Sequence, residues 1–246
     1  MTLALALLLA TVAAPPAHAQ TQMEAAPLVT PFSTGKPGAA PPAPWGPVQI
    51  SANKTPTEYR LVTDQGMIVL NARADAAASG LGHPVAFDVH SAPMLEWRWK
   101  VSKLIEAADN SDATKEDSPA RIILEFDGNK SKLPFKDRAF FALGKSLAGH
   151  DVPYATLMYV WTTRGAVNAV IPNPRTSRVQ MIAAASGAAG IGAWQTVKRN
   201  VVEDFRRAYG EDPGQLMAVG VLTDTDNTGA SVEAWYGDIR FLPASP

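Results

Sequence analysis

The chain has 246 residues, 46% of them hydrophobic, and carries 22 Lys and Arg against 23 Asp and Glu, a formal charge of −1. Near-neutrality and a pI of about 6.4 remove the electrostatic reason to expect nucleic acid or an anionic membrane as partner. The absence of cysteine excludes disulfides and thiolate-based zinc or iron–sulfur sites, so burial alone must hold the fold.

Residues Leu3 to Ala14 form an apolar run too short to span a bilayer, followed by Pro15-Pro16 and by Ala17-His18-Ala19. This small-x-small pattern predicts a signal peptide over residues 1–19, cleaved after Ala19, and an exported, periplasmic or secreted product. No Lys or Arg precedes the run. From Pro27 to Pro47 seven prolines are spaced by Ala, Gly and Ser. That composition predicts a disordered Pro/Ala-rich tether over residues 20–44, with one folded domain over residues 45–246.

Strand signals then recur. Tyr59–Val62 and Met67–Leu70 flank Thr63-Asp64-Gln65-Gly66, a hairpin connection. A turn is expected at Ser79–Gly82, followed by a strand over Pro84–Val89. Leu95–Val101 alternates without a fault, with Leu95, Trp97, Trp99 and Val101 on one face and Glu96, Arg98 and Lys100 on the other. Arg121–Asp127 repeats the pattern with Ile122, Leu124 and Phe126 inward. Leu157–Trp161 is apolar throughout and reads as an interior strand, and Val179–Ala183 as another. Two helices are expected. One is a short candidate over Ala139–Ala148. The other covers Val197–Tyr209, where Val197, Val201, Phe205 and Tyr209 recur every fourth residue and Gly210 is placed to stop the helix. Met217–Leu222 and Glu233–Phe241 read as a hairpin joined by the loop Thr223–Gly229. The sum is an all-β fold, a jelly-roll-like antiparallel β-sandwich with one or two short helices.

Catalytic motifs are absent from the sequence. Gly144-Lys145-Ser146 has Ala139 where a phosphate-binding loop needs its first glycine, and Gly187–Gly192 has the wrong glycine order for a dinucleotide fingerprint. No G-x-S-x-G elbow and no H-E-x-x-H occur, and His83, His90 and His150 are spaced unlike any local metal motif.

A charged sheet face remains. If the strands bearing Arg98 and Arg121 are neighbours, Glu96, Arg98, Lys100, Arg121, Glu125 and Asp127 cluster opposite the tryptophans, and Tyr236, Asp238 and Arg240 could join them. Such a face could hydrogen-bond a glycan or another polyol, or be a solvated set of mutual ion pairs. Sugar stacking needs exposed aromatics; Trp97 and Trp99 alternate inward, whereas Trp194 and Trp235 are less constrained. The ligand-binding candidates are therefore Glu96, Arg98, Arg121, Glu125, Asp127, Tyr236 and Asp238. Asp224, Asp226 and Asn227 form a candidate structural calcium site. Oxygen ligands alternate there and Gly229 stands at position six, although Thr228 and Trp235 occupy the fifth and twelfth positions of an EF-hand loop. No other cofactor is expected.

Several of these segments together resemble the bacterial DUF3047 family: Thr57–Val62, Ala78–Leu81, Leu95–Val101, Ser118–Arg121, Tyr159–Trp161, Arg199–Val201 with Glu203–Arg206, and Thr223–Gly229 followed by Tyr236–Ile239. The resemblance runs from about Trp45 to Phe241. It implies a family of unknown function and carries over no catalytic residue. The strand pattern is also similar to jelly-roll carbohydrate-binding modules. The function expected is an exported, non-catalytic β-sandwich that recognises a carbohydrate or other polar envelope ligand, with a glycan or an envelope protein as partner. The alternatives are an envelope glycan hydrolase or lyase using paired carboxylates among Glu125, Asp127 and Asp238, and a structural envelope protein.

Overall fold

The structure is a computed structural model that describes residues 27–139 and 152–244. Two sheets face each other. The first has seven strands in the order β1 (Gly46–Gln49), β4 (Ala78–Phe87), β11 (Leu216–Asp224), β6 (Ser118–Phe126), β7 (Ala155–Thr162), β9 (Val179–Ser186) and β8 (Val170–Pro172). The second runs β10 (Gln195–Asn200), β5 (Met94–Val101), β12 (Ser231–Tyr236), β3 (Met67–Asp75) and β2 (Glu58–Asp64), with β13 (Arg240–Leu242) also paired to β5. All pairings within the sheets are antiparallel except β7 with β9. This is the jelly-roll-like β-sandwich that the strand pattern predicts. Among the described residues, no helix is long and apolar enough to cross a membrane.

The alternation in β5 sets the core. Leu95, Trp97, Trp99 and Val101 are buried because a period of two sends every second side chain to the same face. Trp97 meets Tyr159 of β7 at 5.0 Å between ring centroids, and Trp99 meets Trp161 at 5.9 Å. Aromatic pairs therefore bridge the two sheets, each adding about 0.5–1.5 kcal/mol beyond its area. Ile122, Leu124 and Phe126 of β6 point into the same core, as their alternation predicts. β7 is interior to its sheet, between β6 and β9.

Several expectations are corrected. Residues 27–44 are packed against the sandwich rather than forming a tether. Val29 and Phe32 are buried, Trp45 Nε1 donates to the Thr30 carbonyl at 2.8 Å, Gly38 N–H of the strap donates to the Leu61 carbonyl, and Leu61 N–H donates to the Ala39 carbonyl. The prolines set its extended course, while Leu28, Val29 and Phe32 give it the apolar mass that its overall composition hides. The predicted turn at Ser79–Gly82 is the interior of β4, where Gly80 and Gly82 let β1 and β11 close in: a Cβ on Gly80 would lie 2.9 Å from the Val221 carbonyl oxygen.

Val197 lies on β10, paired with Trp97. Helix α1 covers Val201–Tyr209, opened by the Asn200 side chain accepting from Glu203 N–H and closed at Gly210 in the left-handed conformation. Loop Thr223–Gly229 does not close a hairpin; it carries the chain from β11 in the first sheet to β12 in the second. Residues 135–139 are helical; the rest of the expected Ala139–Ala148 helix and the predicted signal peptide lie outside the described residues.

Candidate binding groove on the second sheet

The outward residues of β5 are Glu96, Arg98 and Lys100. On one side β10 places Thr196 opposite Arg98 and Lys198 opposite Glu96. On the other side β12 stops at Tyr236, opposite Trp99 and Leu70, and pairing with β5 resumes only at Arg240 of β13. Because β13 does not pair with β3, the end of β3 and the middle of β5 are left without a strand between them. A groove of about 440 Å³ opens at this gap, lined by Met67, Ile68 and Val69 from β3, Glu96, Trp97 and Arg98 from β5, Thr196, Gly237, Asp238, Arg240 and, from the strap, Ser33.

Its polar groups are held in place. Arg240 Nη2 donates to Glu96 Oε1 at 2.7 Å. Ser33 donates its N–H and hydroxyl to the Asp238 carboxylate at 3.0 and 2.6 Å. The Arg98 guanidinium stacks 4.5 Å from the centroid of Trp194 and directs Nη2 to the Met67 sulfur. A Cβ on Gly237 would lie 2.5 Å from Arg98 Cγ, so the glycine makes room for the arginine stem. Trp194 is fixed in turn: its Nε1 donates to Asp64 Oδ2 at 2.6 Å, while Asp64 Oδ1 accepts from Lys100 Nζ at 2.6 Å. Lys100 Nζ also lies 4.4 Å from the Trp235 ring, a cation–π contact of the same kind. Partial burial works against the Asp64 charge, but hydrogen bonds from Lys100 and Trp194 hold its carboxyl below the usual range. The groove thus offers fixed donors and acceptors beside a half-exposed indole.

A second polar centre lies where β11 turns toward β12. Asp117, Asp224 and Asp226 bring one carboxylate oxygen each within 4.8 Å of one another. Asp224 accepts from Ser118 N–H and from Arg121 Nη2, both at 3.0 Å, and Arg121 also donates to the Glu116 carbonyl. Asp117 accepts from the backbone of Asn227 and Thr228 and from the Thr228 hydroxyl. Lys54 pairs with Asp226 at 2.7 Å. Burial, opposed by Arg121 and reinforced by Asp117 and Asp226, pushes the Asp224 carboxyl up to about 6. The all-oxygen donor set suits a hard cation, while Arg121 and Lys54 offset two of the three charges. Asn227, proposed from sequence as a ligand with Asp224 and Asp226, is exposed and gives the centre its backbone N–H. Asp117 takes the third place.

The predicted charged face is divided, because β5 and β6 belong to different sheets. Glu96, Arg98 and Asp238 do meet, in the groove, joined by Arg240. Arg121 is buried at the carboxylate centre. Glu125 lines a separate, mainly apolar trough of about 360 Å³ on the outer face of the first sheet. Asp127 follows β6 and accepts from Gly128 N–H. Tyr236 is core, its hydroxyl donating to the Leu222 carbonyl. The pairing of Glu125 or Asp127 with Asp238 in one cleft is therefore not formed. Sequence reasoning missed Asp64, Ser33, Thr196 and Asp117. The Thr196/Lys198 alternation around Val197 was a strand signal for the β10 wall.

No curated protein matches the chain. Solved structures align with it at low similarity. The family 30 carbohydrate-binding module of the cellulosomal cellulase Cel9D-Cel44B of Clostridium thermocellum is 12% identical, with 82% of this chain and 95% of that one covered and a TM-score of 0.39. The carbohydrate recognition domain of Emp47p is 10% identical, with 88% and 95% covered and a TM-score of 0.41. A β-1,2-glucanase from Parabacteroides distasonis is 12% identical, with 82% of this chain and 23% of that one covered and a TM-score of 0.35. The family model of DUF3047, protein of unknown function, matches residues 43–240, most of the chain, and the chain belongs to that family.

Proposed function

We propose that this chain is an exported β-sandwich that binds a glycan in the groove where β12 ends, without performing chemistry on it. The observation that carries the reading is a groove that combines the hydroxyls of Ser33 and Thr196, the carboxylates of Glu96 and Asp238 and the guanidinium groups of Arg98 and Arg240, with a held indole, Trp194, beside it against Arg98. Sugar rings need an apolar platform for their C–H faces and paired donors and acceptors for their hydroxyls. Both sets are fixed here before a ligand arrives, which lowers the ordering penalty of binding. Export rests on the Leu3–Ala19 sequence and is checked by amino-terminal sequencing of the secreted or periplasmic product, which should begin at Gln20.

The binding claim is tested by calorimetric titration of the folded chain with a panel of oligosaccharides. At least one should bind, and W194A should weaken it about tenfold or more, in line with loss of about 1.5 kcal/mol or more of stacking and its rigid support, with the melting temperature nearly unchanged. Undiminished affinity in W194A would refute the site. The carboxylate centre belongs to the same proposal as a calcium site that secures the β11–β12 loop. Calcium should then raise the melting temperature of the wild type and not of D226N, and a flat response in the wild type would remove calcium from the account.

A further inference from the structure

The charges on the outer face of the second sheet are unevenly paired. Five carboxylates project from its strands, and four have their own cation: Glu58 with Arg60, Asp64 with Lys100, Glu96 with Arg240 and Glu233 with Arg73, while the fifth, Asp75, stands at the end of β3 farthest from Met67 and the groove. Two cations, Arg98 and Lys198, have no ion-pair partner among the described residues; they lie on adjacent strands, where Arg98 faces Thr196 and Lys198 faces Glu96. Arg98 has no carboxylate within ion-pair distance among the described residues; its guanidinium contacts the Met67 sulfur and the Trp194 ring, with Asp64 near enough to feel its charge. Asp238, the other acid of the groove, is engaged by the N–H and hydroxyl of Ser33, so that around the groove Arg98, Lys198 and Arg240 stand against Glu96 and Asp238.

An arginine that lines a groove without an ion-pair partner, yet is immobilised by stacking and by the space over Gly237, presents a planar fork of N–H donors engaged only by the weak acceptor sulfur of Met67. Such a fork matches the two oxygens of a carboxylate. Resting on the glycan reading above, we infer that the groove selects acidic glycans, those carrying uronic acid units, and that Arg98 receives the carboxylate while Lys198 adds longer-range attraction.

The test compares oligogalacturonate with its methyl ester, which keeps the sugar and removes the charge, and with a neutral cello-oligosaccharide, by calorimetry on the wild-type chain in low and in 0.5 M salt. The acid form should bind at least about tenfold more tightly than the ester, and the preference should shrink at high salt because an exposed ion pair is screened. R98Q should weaken binding of the acid form at least about fivefold more than binding of the ester, and K198Q should reduce the preference by a smaller factor. The acid-against-ester comparison needs no variant, so a misfolded R98Q cannot obscure it. Equal binding of acid and ester overturns the inference and leaves the glycan reading standing. Binding of none of the three, nor of any sugar in the wider panel, overturns both.

Discussion

The two outer faces of this sandwich are built in opposite ways. On the first sheet, one row across the strands reads Gly46, Gly82, Gly220, Ile123, Met158 and Met181. Its small residues let strands and the neighbouring Val48 and Ile123 lie close, so that an added Cβ on Gly82 would sit 2.9 Å from Val48 Cγ2. On the second sheet, charged residues and Trp235 dominate the outward positions, many of them locked by ion pairs and stacking. The lesson is that alternation determines only which residues face outward. Backbone closeness decides what the first face tolerates, and side-chain orientation decides what the second can hold.

The largest effect expected is on the strap that the groove shares with the core. F32A should cost about 3–5 kcal/mol in denaturant unfolding, because Phe32 is fully buried and its removal leaves a cavity. A loss under about 1 kcal/mol would return residues 27–44 to the status of a tether. Next comes the contrast between the faces. G80A on the first sheet should destabilise by about 1–3 kcal/mol, since its Cβ meets a backbone oxygen at 2.9 Å, whereas R98Q on the second should change stability by about 0.5 kcal/mol or less. Equal tolerance at both positions would erase the comparison.

The smallest effect lies between the sheets, at Asp224. Its folded-state pKa, about 6, stands above the ordinary aspartate value, so the folded chain binds more protons than the unfolded chain between about pH 4 and 6. Stability from this group is present below pH 4 and falls as the pH rises toward 6. The lowered carboxyls, such as Asp64 and Asp88, act in the opposite sense and at lower pH. A melting profile of D224N should lack the decline between pH 4 and 6; a profile parallel to the wild type would show that Asp224 is ordinary.

Much of this was legible in the chain. The faultless alternation of Leu95–Val101 gave both the inward tryptophans and the outward Glu96, Arg98 and Lys100, and Gln65-Gly66 marked the β2–β3 turn, where both residues have positive φ. Local pattern could not say which sheet each strand joins. β5 and β6 follow one another in the chain yet belong to different sheets, which separated Arg121 from Arg98. The partner of the Asp224–Asn227 loop, Asp117, lies 110 residues from Asn227, beyond any local signal. The helix start was misplaced because Val197 fits a fourfold spacing by chance. Asn200 followed by Glu203, a capping pair, was the stronger marker.

The central claim is that the second face, not the first, meets a ligand. Six tryptophans give six indole N–H signals, and they are spread across the molecule: Trp194 and Trp235 on the second outer face, Trp97, Trp99 and Trp161 in the core, and Trp45 under the strap. The decisive measurement follows these signals by NMR while an acidic oligosaccharide is titrated in. The Trp194 signal should move with saturation, Trp235 to a lesser degree, and the core and Trp45 signals should stay in place. Movement of Trp45 with Trp194 unmoved would put the ligand on the other side of the sandwich and contradict the account.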